Sequence, residues 1–213
     1  LSITARSAGT DMSGGCLGES IILDFSKHMN KLIEIGADYA VVEPGMYYRD
    51  FEKETLKHNL LFPSYPASKD ICAMGGIVSN NAGGEKSLTF GKTENYVLEY
   101  RMVLADGKEY VFKSLSKSEL AKKLKLKGFE GDIYRKLYSL VSVNTDLLQK
   151  AKPNVSKNSA GYALWNVWDG TTFNIPIVKI FDLNADIKES IKIIEALSSL
   201  IYPGCTVKDI IRT

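Results

Sequence analysis

The chain has 213 residues, of which 45% are hydrophobic and 24% are charged, and its formal net charge is +2. This composition is that of a globular domain, and so balanced a charge gives no general attraction to nucleic acid or to an anionic membrane surface. Two histidines and three widely spaced cysteines form no zinc-binding pattern, and no apolar run is long enough to span a membrane. The few, odd-numbered cysteines are typical of reduced thiols, which predicts a cytoplasmic location.

The first part of the chain is predicted to form short strands. A strand over residues 1–5 leads directly into a glycine-rich loop at 6–18, and further strands are predicted at 20–25, 31–35 and 39–42. Glu43-Pro44-Gly45 ends this run as a turn, and apolar spacing predicts a helix over 47–59. Residues 62–68 contain two prolines and are predicted as a loop, whereas 71–91 are rich in glycine and show no clean period.

The second part of the chain is predicted to contain both strands and helices. A hairpin is predicted from strands at 97–104 and 109–112 around Asp106-Gly107, and Ser116 with Glu119 forms a capping pattern that begins a helix. A single helix is predicted over 131–150, then a strand at 177–183 and an amphipathic helix at 186–200. Strands and helices mixed without a repeating strand–helix order indicate the α+β class.

The first glycine-rich segment, Arg6–Gly15, has the chemistry of an anion site. Glycines allow backbone N–H groups to approach a phosphate closely, and the hydroxyls of Ser7, Thr10 and Ser13 are further donors, with Arg6 supplying charge. The segment matches neither the P-loop nor the Rossmann pattern. A plain surface loop between two strands is the alternative that composition leaves open.

The second glycine-rich segment, residues 75–84, places two glycine pairs on either side of two asparagines. A backbone without side chains can lie close to a flat ligand, and Asn80 and Asn81 offer amide donors and acceptors to ring heteroatoms. A tight bend in the chain is the alternative for this segment.

Several motifs occur in one order along residues 1–165. They are Arg6–Gly15, Glu43-Pro44-Gly45, Phe62 to Ser68, Gly75-Gly76, Asn80 to Gly84, Phe90-Gly91, Asp106-Gly107 and Lys157 to Leu164. In this order they resemble the FAD-binding domain of the vanillyl-alcohol oxidase and p-cresol methylhydroxylase family, in its glycolate oxidase subunit and D-lactate dehydrogenase branch. Motifs spaced along a chain are far more specific than any one of them.

The resemblance implies where FAD would bind. It assigns the pyrophosphate to Arg6, Ser7, Gly9, Thr10, Asp11 and Ser13. It assigns the isoalloxazine ring and ribityl chain to Pro66, Ser68, Gly75, Gly76, Asn80 and Gly83. The predicted cofactor-binding set also includes Ala8, Gly14 and Ala82. Some members attach FAD through a histidine of the first loop, where this chain has Thr10, so noncovalent FAD is expected.

The resemblance also implies a domain organisation. Residues 1–176 are expected to form a two-subdomain FAD-binding domain that lacks its usual first strand and helix. Residues 177–213 are expected to begin a substrate or cap domain, or to be a C-terminal packing segment. A Ser-x-Gly-Thr-Leu-Gly-type motif that usually follows the Gly161-Tyr162 region does not occur in residues 165–176.

The expected function is FAD-dependent dehydrogenation of a 2-hydroxy acid or related alcohol, with an electron-acceptor protein or a quinone as the further partner. No catalytic residue and no metal ligand is assigned. A non-catalytic flavin-fold subunit of a larger oxidoreductase is the alternative, which the missing motif favours. A binding module for another nucleotide is a weaker third reading.

Overall fold

The computed structural model describes residues 2–155 and 163–175. The chain divides into two compact units, Leu1–Val97 and Leu98–Thr213. Each unit contains both helices and strands, which confirms the predicted α+β class.

The first unit begins with two pairs of short strands. Strands β1 (Ile3–Arg6) and β2 (Ile21–Asp24) pair in parallel, with Ile3 opposite Ile21 and Arg6 opposite Asp24. Strands β3 (Leu32–Ile35) and β4 (Ala40–Val42) form an antiparallel pair. All four lie within two residues of their predicted bounds, because each is an apolar run bounded by turn residues.

Helix α1 (Tyr48–Leu56) contributes Tyr48 and Phe51 to the core of the first unit. Tyr48 is fully buried, and its hydroxyl donates to the Phe62 carbonyl at 2.8 Å. The helix ends earlier than the predicted residue 59, because the chain reverses at Asn59, which has a φ of 58°. The buried apolar residues of this core are Met46, Tyr48, Phe51, Tyr65, Cys72, Met74 and Ile77.

The glycine-rich stretch 71–91 contains two short helices that its sequence does not predict. They are α2 (Met74–Ser79) and α3 (Ser87–Phe90). Glycine is a poor helix former, so α2 depends on tertiary contacts. The Met74 N–H donates to the Met46 carbonyl at 2.9 Å, and the Gly75 N–H donates to the Pro44 carbonyl at 2.8 Å. These two bonds hold the first turn of α2 against the segment that precedes α1.

The second unit is an antiparallel sheet packed on helices. The strands are β5 (Glu99–Val103), β6 (Glu109–Ser116) and β7 (Thr172–Asn174), in the order β5–β6–β7. The helices are α4 (Lys117–Leu124), α5 (Phe129–Val143) and α6 (Thr145–Ala151). Phe112 and Phe173, both fully buried, join the sheet to the core.

The predicted single helix over 131–150 is wrong. Helix α5 ends at Val143 and α6 begins at Thr145, with Asn144 between them at φ −112° and ψ 16°. The Asn144 side chain donates to the Leu140 carbonyl at 2.9 Å, and such side-chain bonds to the backbone compete with helix propagation. The predicted capping box at Ser116 and Glu119 is confirmed by reciprocal hydrogen bonds.

Strand β7 was not predicted, since three residues are too few to show a period. The predicted strand at 177–183, the predicted helix at 186–200, the boundary at 176/177 and most of the motif at 157–164 lie outside the described residues. Within the described residues, no helix combines the length and the apolar character needed to cross a membrane.

Candidate functional site

The first glycine loop (Arg6–Gly15) leaves the end of β1 and leads back towards β2. Gly9 and Gly14 have φ values of 68° and 74°, a backbone region that favours glycine. A Cβ built on Gly9 would lie 2.8 Å from Arg6 Nε, so the guanidinium lies directly against the Gly9 backbone. The position of Arg6 therefore depends on the absence of a side chain at Gly9.

Asp11 organises the far side of this loop. Its carboxylate accepts hydrogen bonds from Ser13 Oγ at 2.6 Å, from the Gly15 N–H at 3.0 Å and from the Ser13 N–H at 3.3 Å. These bonds, the Ser13 hydroxyl first, lower the pKa of Asp11 below its usual value. Asp11 and Ser13 thus shape the loop by bonding to each other.

The hydroxyls that the sequence offers to an anion are used unequally. Ser13 Oγ donates to Asp11, and Ser7 Oγ donates to the Pro44 carbonyl at 2.7 Å. Thr10 makes no hydrogen bond through its hydroxyl within the described residues. Only one of the three predicted hydroxyl donors is therefore uncommitted in this structure.

Backbone donors of the loop remain available. In the part of the chain that the structure describes, the N–H groups of Ala8, Gly9 and Thr10 donate to no acceptor. Arg6 Nε is buried and likewise has no hydrogen-bond partner there. Backbone N–H groups beside a guanidinium are a suitable donor set for a phosphate oxygen, so this end of the loop fits a pyrophosphate.

The Pro44 carbonyl joins the first loop to helix α2. It accepts from Ser7 Oγ at 2.7 Å and from the Gly75 N–H at 2.8 Å. A Cβ built on Gly75 would lie 2.7 Å from the Pro44 Cβ, so only glycine allows this approach. One carbonyl thus brings two predicted site residues, Ser7 and Gly75, to the same place.

Gly76 lies on the side of α2 that faces the first loop. A Cβ built on Gly76 would be 3.8 Å from the Ser7 Cβ, an ordinary contact distance, and would meet nothing closer. Asn80, at the end of α2, is exposed and donates through Nδ2 to the Gly76 carbonyl at 3.2 Å. The fold therefore does not require glycine at position 76, which leaves close approach of a ligand as a reason for it.

The chain after α2 is held by neighbouring polar groups. Asn81, with a φ of 45°, donates to Glu94 at 2.7 Å, and the Glu94 N–H donates back to Asn81 Oδ1 at 2.9 Å. The Ala82 carbonyl accepts from Thr93 Oγ1 at 2.8 Å. A Cβ on Gly83 would collide with Ser87 Oγ. The amide of Asn81 is thus structural, whereas Asn80 Oδ1 accepts no hydrogen bond from the described residues and can accept one from a ligand.

Pro66 and Ser68 form a turn before α2. The Pro66 carbonyl accepts from the Lys69 N–H at 3.0 Å, and the Ser68 carbonyl accepts from the N–H groups of Ile71 and Cys72 at 2.9 Å. A Cβ built on Gly84 would lie 3.3 Å from Pro66, which places this turn beside the second glycine pair. Burial raises the pKa of the Cys72 thiol, which disfavours the thiolate form.

The predicted site residues therefore form two groups in the first unit. Ser7, Gly75 and Gly76 meet around the Pro44 carbonyl, and Pro66 lies beside Gly84. No hydrogen bond joins the 66–68 turn directly to the first loop within residues 2–155 and 163–175. The sequence indicated Pro44 only as a turn, because nothing in a sequence shows which carbonyl two distant donors share.

Residues 2–155 and 163–175 give no support for a metal site. The described residues contain no group of three or more His, Cys, Asp or Glu side chains that could hold a metal ion. Neither His28 nor His58 belongs to the first glycine loop, where Thr10 stands.

Three comparisons place these features among known proteins. A family model described as "FAD binding domain" matches residues 1–113. D-2-hydroxyglutarate dehydrogenase of Pseudomonas putida is 27% identical over 78% of this chain and 17% of its own length. Glycolate oxidase subunit GlcD of Bacillus subtilis is 35% identical over 49% of this chain and 23% of its own length. The structure of 6-hydroxy-D-nicotine oxidase from Arthrobacter nicotinovorans aligns with 53% of this chain and 25% of that chain, at 22% identity and a TM-score of 0.48.

The chain spans less than a quarter of the length of these two curated relatives. The family match covers more than half of the chain and includes the first glycine loop, the Pro44 turn and α2. The chain therefore belongs to the FAD-binding domain family that this model describes, and its cofactor is FAD.

Proposed function

We propose that this chain is the noncovalent FAD-binding part of an oxidoreductase that dehydrogenates a 2-hydroxy acid or a related alcohol. The observation that carries the proposal is the donor set of the first glycine loop: next to the Arg6 guanidinium, three backbone N–H groups have no acceptor among the described residues. The curated relatives include a D-2-hydroxyglutarate dehydrogenase and a glycolate oxidase subunit, which supports the hydroxy-acid class.

In this proposal the first loop binds the FAD pyrophosphate. The N–H groups of Ala8, Gly9 and Thr10 donate to phosphate oxygens, and Arg6 adds a charge-assisted bond. Asp11, Ser13 and Gly14 keep the loop in shape through the bonds between Asp11 and its neighbours. Ser7 fixes the loop to the Pro44 carbonyl and is a structural member of the site.

The second glycine-rich segment, residues 75–84, and the turn at Pro66 and Ser68 bind the flat part of the cofactor. Gly75 and Gly76 keep α2 free of side chains on the side of the first loop, so that the ring or the ribityl chain can approach its backbone. Asn80 offers its open Oδ1 as an acceptor. The other proposed contacts are Pro66, Ser68 and Ala82, whose backbones are fixed by the bonds described above, and Gly83, which packs closely against Ser87.

Bound FAD would supply the redox chemistry by accepting a hydride from the substrate α-carbon. The contribution of this chain is to bind and orient the cofactor. We assign no described residue as the base that takes the proton of the substrate hydroxyl. We propose that a cap domain supplies this base. An electron-acceptor protein or a quinone would reoxidise the cofactor.

A non-catalytic flavin-fold subunit is the second candidate. One observation favours it: residues 165–176 contain no Ser-x-Gly-Thr-Leu-Gly-type motif. The two candidates differ in one measurable property. A catalytic protein transfers electrons from a substrate to its own FAD, whereas a non-catalytic subunit binds FAD and leaves it oxidised.

The test is anaerobic mixing of the FAD-loaded full-length protein with D-2-hydroxyglutarate, D-lactate or glycolate. Loss of the blue absorbance of oxidised flavin with one of them is expected. The matched control is glutarate, propionate or acetate, the same acid without the α-hydroxyl group, which must leave the flavin oxidised. Bound FAD that no hydroxy acid or alcohol bleaches would support the non-catalytic subunit and exclude the dehydrogenase.

A further inference from the structure

We propose that Asp24 is a positioning residue for FAD, which holds the Arg6 guanidinium over the first glycine loop at the place where the pyrophosphate would bind. The inference rests on the proposed function of that loop and adds a residue that lies outside the sequence motifs described above.

The register of the first strand pair places the two side chains together. Arg6 and Asp24 are opposite each other at the ends of parallel strands β1 and β2. Opposite residues of paired strands project from the same face of a sheet. Arg6 Nε lies 3.9 Å from Asp24 Oδ2, within the range of an ion pair.

The carboxylate of Asp24 is itself held in place. Its Oδ1 accepts from the Ser26 N–H at 2.9 Å and from Ser26 Oγ at 2.5 Å, which leaves Oδ2 towards Arg6. The Ser26 bonds, with a smaller contribution from Arg6, lower the pKa of Asp24. The charge that faces Arg6 is therefore present at neutral pH and has a fixed position.

The distance between Arg6 and Asp24 allows electrostatic attraction but does not engage the Arg6 N–H groups in a hydrogen bond. At 3.9 Å, Arg6 Nε and Asp24 Oδ2 are too far apart for a hydrogen bond, and within the described residues the Arg6 side chain makes none. Asp24 thus attracts the guanidinium without accepting a hydrogen bond from it, so the terminal N–H groups of Arg6 keep no protein acceptor within the described residues. A bidentate pair would have consumed these donors.

Stability is a poor explanation for this pair. The Arg6 and Asp24 side chains are 37% and 49% exposed, and ion pairs at such exposure contribute little to the free energy of unfolding. Orientation of Arg6 for a ligand is the role that the geometry supports.

The test is a double-mutant cycle on FAD affinity, measured by fluorescence titration of the apo full-length protein. Asp24→Asn keeps an Oδ1 acceptor for Ser26 and removes only the charge. We expect Asp24→Asn alone to weaken FAD binding about threefold to tenfold. In a protein that already carries Arg6→Gln, the same change should have no further effect, because the effects of coupled residues are not additive. Asp24→Glu should restore part of the lost affinity.

Asp169→Asn is the matched control, because Asp169 Oδ1 accepts from the N–H and hydroxyl of Thr171 in the same way and has no arginine partner among the described residues. It should leave FAD affinity unchanged. If Asp24→Asn fails to fold, Ser26→Ala replaces it and should weaken binding only while Arg6 is present. Additive effects of the Arg6 and Asp24 changes would overturn the inference and leave the proposed function standing. Failure of the unaltered protein to bind FAD would overturn the proposed function itself.

Discussion

The two units of the chain differ in how far they bury their apolar side chains. Among the described residues, the core cluster of the second unit contains 14 buried apolar residues, whereas that of the first unit contains seven. In the second unit, Phe112 packs against the rings of Tyr100, Tyr110 and Tyr134 with centroid distances of 5.7 to 6.4 Å. In the first unit, strand β2 exposes Ile21, Ile22 and Leu23 at 48%, 37% and 45%.

This contrast separates stability from binding. Every predicted cofactor-binding residue lies in the first unit, on backbone held by turns, glycine contacts and single hydrogen bonds. Binding loops are commonly drawn from the less stable parts of a structure. Changes in the second unit should therefore alter the free energy of unfolding, and changes in the first loop should alter FAD affinity.

The largest effect is expected from Phe112→Ala. Phe112 has no exposed surface and joins the sheet to α5 through Tyr134, so its removal leaves a cavity. The free energy of unfolding should fall by about 3–5 kcal/mol in urea denaturation. Phe90→Ala, at a side chain that is 49% exposed, is the control and should cost much less. Equal effects of the two changes would contradict the assignment of the core.

Gly9→Ala tests the first glycine loop, with Gly107→Ala as the matched control. Gly9 and Gly107 have similar φ values, 68° and 75°, so alanine brings about 1–2 kcal/mol of backbone strain at either position. Only at Gly9 would the new Cβ displace Arg6, since nothing lies within 4 Å of the Cβ built on Gly107. FAD affinity, measured by titration, should fall about tenfold or more for Gly9→Ala and stay unchanged for Gly107→Ala. Equal losses would show that strain alone, and not Arg6, determines binding.

Ser116→Ala should produce a smaller loss, confined to stability. Ser116 Oγ accepts from the Glu119 N–H, and the Glu119 carboxylate accepts from the Ser116 N–H, at the start of α4. Loss of the cap should lower the free energy of unfolding by about 1 kcal/mol. Ser114→Ala, on the same strand and away from the helix start, is the comparison. An unchanged FAD affinity is expected for both variants.

Tyr134→Phe should act in the opposite direction. The Tyr134 hydroxyl is buried and has no hydrogen-bond partner within the described residues, and burial raises its pKa well above the usual value. Removing an unsatisfied buried group should leave stability unchanged or raise it by up to about 1 kcal/mol. A loss of more than this amount in chemical denaturation would reveal a partner for the hydroxyl.

The smallest effect concerns pH. The pKa of Asp11 is lowered by its bonds to Ser13 and Gly15, so the folded loop favours the ionised carboxylate. This contribution is fully present above the ordinary aspartate pKa of about 4 and is lost as the pH falls through the lower, folded value. Asp11→Asn should therefore reduce the difference in thermal stability between acidic and neutral pH. An unchanged pH dependence would show that the loop does not hold Asp11 as described.

Local sequence patterns predicted much of the architecture. The four strands of the first unit, the hairpin around Asp106-Gly107 and the capping box at Ser116 each depend on neighbouring residues, and each is present. The break at Asn144 and the short helix α2 were missed. Both depend on bonds that local propensity does not encode: a side chain that competes for a helix carbonyl, and a first turn fixed by distant carbonyls.

The site was predicted as a set of residue types and not as a geometry. Glycine spacing indicated a phosphate loop, but the donation of Ser7 to Pro44 and of Ser13 to Asp11 becomes visible only in three dimensions. Asp24 is an unremarkable residue at the end of a strand until the register places it opposite Arg6. Such long-range pairings depend on strand register, which a single sequence does not reveal.

The most direct test of the central claim is the absorbance spectrum of the purified full-length protein before and after heat or acid denaturation. The native protein should show flavin bands, and after removal of the precipitated polypeptide the chromophore in the supernatant should be FAD. Flavin that stays with the precipitate would contradict noncovalent binding. A colourless protein that takes up no FAD on titration would contradict the account as a whole.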